Sequence, residues 1–401
     1  MRAGIVALGA LLALPLLAGS PVTVEQLAET LASAHASRRT DDETARKIAG
    51  VELRQRLTEA TLSRLCGNEG ERTRDALRVL ADESAFLDPP ASEVPSEGPP
   101  DPAEQKAMFA KAGAYALAYM HNLPNFRCTQ TTRRLDDDPL SARRHKADVV
   151  ARLHEHDTIV SELTYSNGAE LRHVRTVNGQ VWRNEEPIEG LTTLGEFGSI
   201  IGSILQNSAA ARAVWNHWEM LDGKRLAVFD YSVDRAHSNL NITWCCDANS
   251  RGWRKVTAEY RGTLSIEPAS GAIYRVTRRA VNIPAGFPTR TADAFVEYRA
   301  VNVGGKSWVC PVRSVTISQI VRANATTGAM GATTTEGATG VDPWLHELNE
   351  VEFTDYHKFE SESRMVTGDD PPAEDKPAVS TQPIVPAEGP PTPASPAHKN
   401  P

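Results

Sequence analysis

No cofactor-binding or catalytic signature punctuates this chain. A G-x-G-x-x-G turn after a strand, a P-loop and an H-E-x-x-H pair are all missing. Gly198-Ser199-Ile200-Ile201-Gly202 is not a nucleophile elbow, because the serine falls one place early inside an amphipathic run. No β-helix-β spacing of the kind parallel strands require is seen either. These absences count against an enzyme without excluding one, since catalytic groups assemble from distant positions. Positive charge is short as well. With 43 Lys and Arg against 51 Asp and Glu, the net charge is −8 and the pI about 5.8, so nucleic-acid backbones and anionic lipid surfaces are poor partners. Long apolar runs are scarce: after Leu17 nothing approaches the eighteen residues that would mark a membrane-spanning helix.

The one compact apolar run is at the start. Arg2 precedes an apolar core of about thirteen residues, Ile5 to Leu17, followed by Ala18, Gly19 and Ser20. As a helix this core is only ~20 Å long, too short for a ~30 Å hydrocarbon layer, so residues 1–20 are expected to be a secretory signal. The absence of a cysteine after that core speaks for a soluble exported protein, periplasmic or extracellular, with no stable membrane span once the signal is removed. Cysteine is sparse, at five residues: Cys66, Cys128, Cys245, Cys246 and Cys310. Export permits disulfides, and one bridge among Cys128, Cys310 and either Cys245 or Cys246 is expected, the spacing leaving the pairing open. There is no C-x-x-C. Neighbours in a strand point to opposite faces, so Cys245-Cys246 is a poor metal pair. His154-Glu155-His156 would put two imidazoles on one strand face, yet no third ligand is evident; no metal and no cofactor is expected. The triplet Asp136-Asp137-Asp138 lacks the alternation and glycine of a calcium loop and reads as a solvated turn.

Residues 21–87 read as a small all-helical module. Val24, Leu27, Ala28 and Leu31 keep helical spacing, Val51, Leu57, Leu62 and Leu65 suggest a second stripe, and Thr40-Asp41-Asp42-Glu43 is a helix start with Thr40 or Asp41 as its cap. Six prolines between Asp88 and Pro102 make residues 88–102 a linker. Ala103 to Asn122 is a helix stopped by Pro124. From Phe126 onward the pattern changes to period two. Ala258, Tyr260, Gly262, Leu264 and Ile266 alternate with polar neighbours, Glu267 to Gly271 turns the chain, and Ala272 to Val281 returns. Asn167-Gly168, Asn178-Gly179 and Asp222-Gly223 are hairpin turns. All seven tryptophans lie between Trp182 and Trp344, which places the main core in the strands. Residues 103–365 therefore form one antiparallel domain. The tail 366–401 is rich in proline and is expected to be disordered.

One helix interrupts the strands. Between Gly195 and Gln206, Phe197, Ile200, Ile201, Ile204 and Leu205 fall at i, i+3, i+4, i+7 and i+8. Five such side chains carry a gross ~7–15 kcal/mol when buried. About three turns of helix are marginal alone, so a sheet or a ligand must cover this one. It either fills the core or acts as a plug that a ligand displaces.

A single sheet of many strands curls. Together with a leader, an N-terminal helix at Ala103–Asn122 and an inserted amphipathic helix, this order resembles the half-barrel family of periplasmic lipoprotein carriers. It also resembles a relative, the sensor domain that regulates an anti-sigma factor. The phrases Leu123-Pro124-Asn125-Phe126-Arg127-Cys128-Thr129-Gln130-Thr131-Thr132 and Tyr260-Arg261-Gly262-Thr263-Leu264 are similar to secreted bacterial proteins of this build. The resemblance spans residues 103–360. It implies an α+β fold: a curved antiparallel half-barrel sheet covered by helices and preceded by a small all-α module. It also implies a binding or carrier protein, not an enzyme, with an acyl chain or other apolar ligand in the cavity and a lipid or lipoprotein as partner. Phe197, Ile200, Ile201, Ile204 and Leu205 would then be the cavity lid. The alternative is a protein-interaction or envelope-sensor module in which residues 21–87 dock a protein partner.

Overall fold

The computed structural model describes residues 20–138, 152–183, 188, 190–192, 195–197, 199–206, 212–247, 250–322, 325–327, 333–335 and 343–359. The leader expected at the N-terminus and the tail from residue 360 lie outside these, as do most of the Thr, Ala and Gly run around residue 330.

Four helices, α1 (Val24–Ala36), α2 (Asp41–Ala49), α3 (Glu59–Cys66) and α4 (Glu71–Glu83), surround Leu27, Leu31, Ile48, Leu77 and Leu80. Thr23 and Thr40 close capping boxes on α1 and α2. With Thr40 as the cap of α2, the Asp41 carboxylate is free to cap a different helix. It accepts from the backbone N–H groups of Arg72 and Thr73, each at 3.0 Å, and so fixes the start of α4 on α2. The proline-rich segment is tied down more firmly than its composition suggests: Glu93 accepts from Thr58 and Thr61, and Trp218 Nε1 donates to the Gly98 carbonyl at 3.1 Å. Asp101 caps α5 (Pro102–Asn122), with Pro102 at its first turn.

The rest is α+β, an open antiparallel sheet of eleven strands. In chain order the strands are β1 (Phe126–Asp136), β2 (His154–Ser166), β3 (Ala169–Val177), β4 (Gln180–Val181), β5 (Arg212–Leu221), β6 (Lys224–Val233), β7 (Asn241–Asp247), β8 (Ser250–Thr257), β9 (Glu259–Ile266), β10 (Ile273–Val281), β11 (Thr289–Val303), β12 (Lys306–Val321), β13 (Ala325–Thr327), β14 (Thr333–Thr335) and β15 (Trp344–Lys358). The spatial order is β4-β3-β2-β1-β15-β12-β11-β10-β9-β6-β5, with β7–β8 and β13–β14 as separate ribbons. The last long strand thus joins the first to the body of the sheet. Helix α6 (Ser199–Gln206) follows β4 in the chain; it begins four residues later than the apolar stripe predicts.

The expected hairpins form. Asn167 and Gly168 both have positive φ, 52° and 83°, the type I′ geometry that matches strand twist. Gly262 has a different reason: a Cβ there would sit 1.9 Å from the Thr277 carbonyl oxygen of β10, which also accepts from Tyr231 Oη at 2.7 Å.

Alternation divides the sheet into two faces. Val296 packs inward with α5 and α6, whereas its neighbour Phe295 packs outward with Ala85, Val79 and Phe86 of the helical module. The curved sheet is therefore a half-barrel covered on its concave side by two helices and on its outer side by the all-α module.

Candidate functional site: the helix-covered concave face

Helix α5 lays Met108, Ala112 and Ala116 across the inner wall. Helix α6 adds Ile200, Ile201 and Ile204 against Trp218, Phe229, Tyr260, Leu264 and Val296. These three isoleucines are 3%, 2% and 0% exposed, and Phe197 is 1% exposed. Three of the five residues expected in the lid thus come together in one cluster on the concave face. Leu205 lies in α6, its side chain outside the described set. Phe197 stands apart from the isoleucines and fills an aromatic nest, with ring centroids 5.2 Å from both Phe126 and Phe353 and 6.2 Å from Tyr165.

Polar tethers hold the segment that leads into α6. Glu170 of β3 accepts from the backbone N–H of Gly195 at 3.3 Å and of Phe197 at 3.2 Å. Burial, and then the neighbouring Glu196 carboxyl, push Glu170 up to about 7 against the pull of those N–H groups. Tyr298 Oη donates to the Glu196 carbonyl at 2.8 Å, and Asn349 Nδ2 to the Leu191 carbonyl at 2.7 Å. The α6 segment is consequently apolar in its body and hydrogen-bonded at its leading edge.

The concave face is not apolar throughout. Toward one end β1, β2 and β15 turn Arg134, Asp136, Asp157, Glu347 and Asn349 inward. Arg134 Nε donates to Asp157 Oδ1 at 2.7 Å and a second Arg134 nitrogen reaches Oδ2, a two-point pair. Asp136 lies between two imidazoles, 3.1 Å from His154 Nε2 and 3.0 Å from His156 Nδ1. Burial first, then Asp136 and Asp137, drive Glu347 up to about 7 against Arg134 and His156. The acidic triplet expected as a solvated turn is partly structural: Asp136 ends β1 in this cluster, and Asp137 accepts from the His346 N–H and from Arg322. His154 and His156 do share a face, but their partner is a carboxylate already in the sheet. Among the described residues no group of three or more His, Cys, Asp or Glu is placed to hold a metal ion.

The expected bridge involving Cys128 or Cys310 is not formed. Both are free and buried, Cys66 is also free, and Cys245 is disulfide-bonded. Cys128 on β1 and Cys310 on β12 flank β15. Next-nearest strands are ~9.6 Å apart, beyond the ~7 Å a disulfide can span. Burial pushes each thiol up to about 12, so neither is a ready nucleophile.

A large cleft of about 1590 Å³ lies on the opposite side, between the helical module and the sheet. Arg133, Arg313, Glu155, Glu350 and Glu352 line it from the sheet and Asp75 and Glu83 from the module; among the described residues no histidine, cysteine, serine, lysine or tyrosine does. Its charges are largely spent on one another. Arg133 bonds Asp75, Glu155 and Glu350 at 2.7, 3.0 and 2.7 Å, and Arg313 pairs with Asp82.

Sequence reasoning missed the polar end of the concave face, the Glu170 tether and this charged seam. The signal for the first was present: once β1 and β2 are set in register, Arg134 falls opposite Asp157 and Asp136 opposite His154.

No protein-family model and no curated protein matches this chain. Two solved structures do. A LolA superfamily protein from Nitrosomonas europaea, NE2245, is 11% identical, with 64% of this chain and 93% of that one covered and a TM-score of 0.27. The MucA/MucB complex of Pseudomonas aeruginosa gives 10% identity, 61% and 93% coverage and a TM-score of 0.17. Among the described residues no helix is long and apolar enough to cross a membrane.

Proposed function

We propose that the mature chain is an exported binding or carrier protein that holds an acyl chain or other apolar ligand on the concave wall beneath α6. In this reading residues 1–20 direct export to the periplasm or beyond, and residues 103–365 are the ligand-binding domain. One observation carries it. An eight-residue helix, too short to persist alone, covers the oily wall and is tethered at its leading edge through Glu170, Tyr298 and Asn349. Swinging that segment aside would open the part of the apolar concave wall that α5 leaves uncovered, without unpairing any strand. Ligand would replace the isoleucine contacts one for one, so the exchange costs little hydrophobic free energy. Native mass spectrometry after gentle purification, and displacement of a fluorescent fatty acid, test this. Co-purified lipid or saturable displacement is expected; the absence of both sinks the proposal.

A second reading is favoured by the charged seam. The helical module meets the sheet across ion pairs and a polar cleft as well as through Phe86 and Ala85, as a docking part would. Residues 21–87 then recognise an envelope protein. Asp75→Asn with Asp82→Asn loosens the seam, and retention of a partner by the parent protein but not by this variant is the expected outcome.

A further inference from the structure

A smaller cleft of about 380 Å³ opens where α5 meets the ends of β10 and β12. Its walls are aromatic: Tyr115 and Tyr119 from successive turns of α5, with ring centroids 5.9 Å apart, face Tyr274 and Trp308, and Glu267 and Ser270 close the rim. A positive charge from the chain itself already sits beside the rim, against two of the lining residues. Lys224 Nζ lies 5.5 Å from the Tyr274 ring centroid and 2.9 Å from Glu267 Oε1. Two polar atoms of the walls lack an oxygen or nitrogen partner although they are buried. These are Trp308 Nε1 and Tyr119 Oη, on a residue only 6% exposed, with the Cys310 thiol beside the hydroxyl.

From these features we propose that the cleft binds an alkylated ammonium group carrying a hydrogen-bond acceptor. Tyrosine and tryptophan faces present negative charge to a cation. Glu267, held below the ordinary carboxylate range by bonds from Ser270 and Lys224, is ionised at neutral pH. An anion would meet that carboxylate and four electron-rich rings. A purely apolar group would leave the Trp308 N–H without an acceptor. A methylated ammonium satisfies the rings and the carboxylate, and an oxygen a few bonds away can accept from the indole. Lys224 acts as the resident competitor. The site stands apart from the acyl reading: choline has no tail, so its binding or failure leaves the α6 proposal untouched.

The test is a titration of choline chloride into the full mature protein at constant ionic strength, followed by proton–nitrogen NMR. The Trp308 indole signal is assigned by its loss in Trp308→Phe. Saturable movement of that signal is expected, with choline bound at least about tenfold more tightly than its neutral isostere dimethylbutanol. Glu267→Gln, a rim change that leaves the core intact, weakens choline several-fold, and Lys224→Ala strengthens it. Dihexanoylphosphatidylcholine below its micelle concentration separates the sources. Tighter binding than choline assigns a lipid head group, and equal binding assigns a free small cation. Equal affinity for the neutral isostere, no saturable shift by about 50 mM, or indifference to Glu267→Gln in a folded protein overturns the proposal.

Discussion

Glu170 and Glu347 keep their protons on the inner face under conditions in which the unfolded chain has released them. Both rise from an ordinary 4.5 to about 7, so between these values the folded state binds more protons than the unfolded one. Their contribution to stability therefore falls as pH rises through that window, and is restored on acidification toward about 4.5. Asp136 and Glu219, held below their ordinary range, work the other way and lose their contribution only at lower pH. Half-buried His217 and His346, held below the ordinary imidazole value by burial, contribute stability that rises with pH over part of the same window. The assignment is therefore read from a difference. Glu170→Gln, which keeps one of the two acceptor oxygens facing Phe197 and Gly195, removes a falling contribution and makes the melting-temperature slope between about pH 5 and pH 8 more positive than the parent's. An unchanged slope contradicts the assignment. Phe197 tests the aromatic nest directly. Phe197→Ala vacates a site ringed by Phe126, Tyr165 and Phe353 and should cost ~3–5 kcal/mol in urea unfolding of the ligand-free protein.

Among elements, β9 and β10 leave no room for a side chain where Gly262 meets Thr277. An added methyl at 1.9 Å from a carbonyl oxygen cannot be absorbed by a side-chain rotation, because the opposing atom is backbone. Gly262→Ala is expected to cost more than ~2 kcal/mol and to disturb the Tyr231 hydroxyl bond, visible as a lower urea midpoint. The hairpins, α5 and the stripe of α6 were legible because each is written in local periods and turn residues. Asn167-Gly168 announces its own geometry, and Ile200, Ile201 and Ile204 announce their common face. The polar half of the concave wall was not legible. Arg134 and Asp136 look like members of a charged loop and solvated turn until β15 and β2 are placed on either side of β1. Periodicity reports which residues share a face, not which strand lies next door. The two free thiols follow the same logic: Cys128 and Cys310 both sit in strands, as expected, and are kept apart by a strand whose position no local pattern encodes.

At the scale of the whole molecule, the module and the sheet are joined through a buried chain of charges. Arg56 of the module and Arg275 of β10 both pair with Glu219; Arg275 also reaches Glu297, at 2.9 Å. Arg275 is wholly buried and the two guanidiniums face each other, so burial and that neighbour bring Arg56 down to about 10. Arg275→Met leaves Glu219 and Glu297 short of a partner and should cost ~3–5 kcal/mol. The surface pair Arg225–Glu97 has water as its alternative, and Glu97→Ala, which leaves Arg225 over the Trp218 ring, should cost less than ~1 kcal/mol. Comparable losses in paired denaturant melts would refute this ranking.

The position of β15 has a consequence for how the chain matures. Arg133 and Glu350, joined across the sheet, are 217 residues apart in sequence. Until residues 344–358 have emerged, the strands at either end of the chain are two fragments with raw edges, which is where mispairing begins. Joining of the two halves of the sheet must therefore wait for β15. A chain truncated before Trp344 should be recovered as aggregate, and a synthetic segment of residues 343–359 supplied during refolding should rescue it.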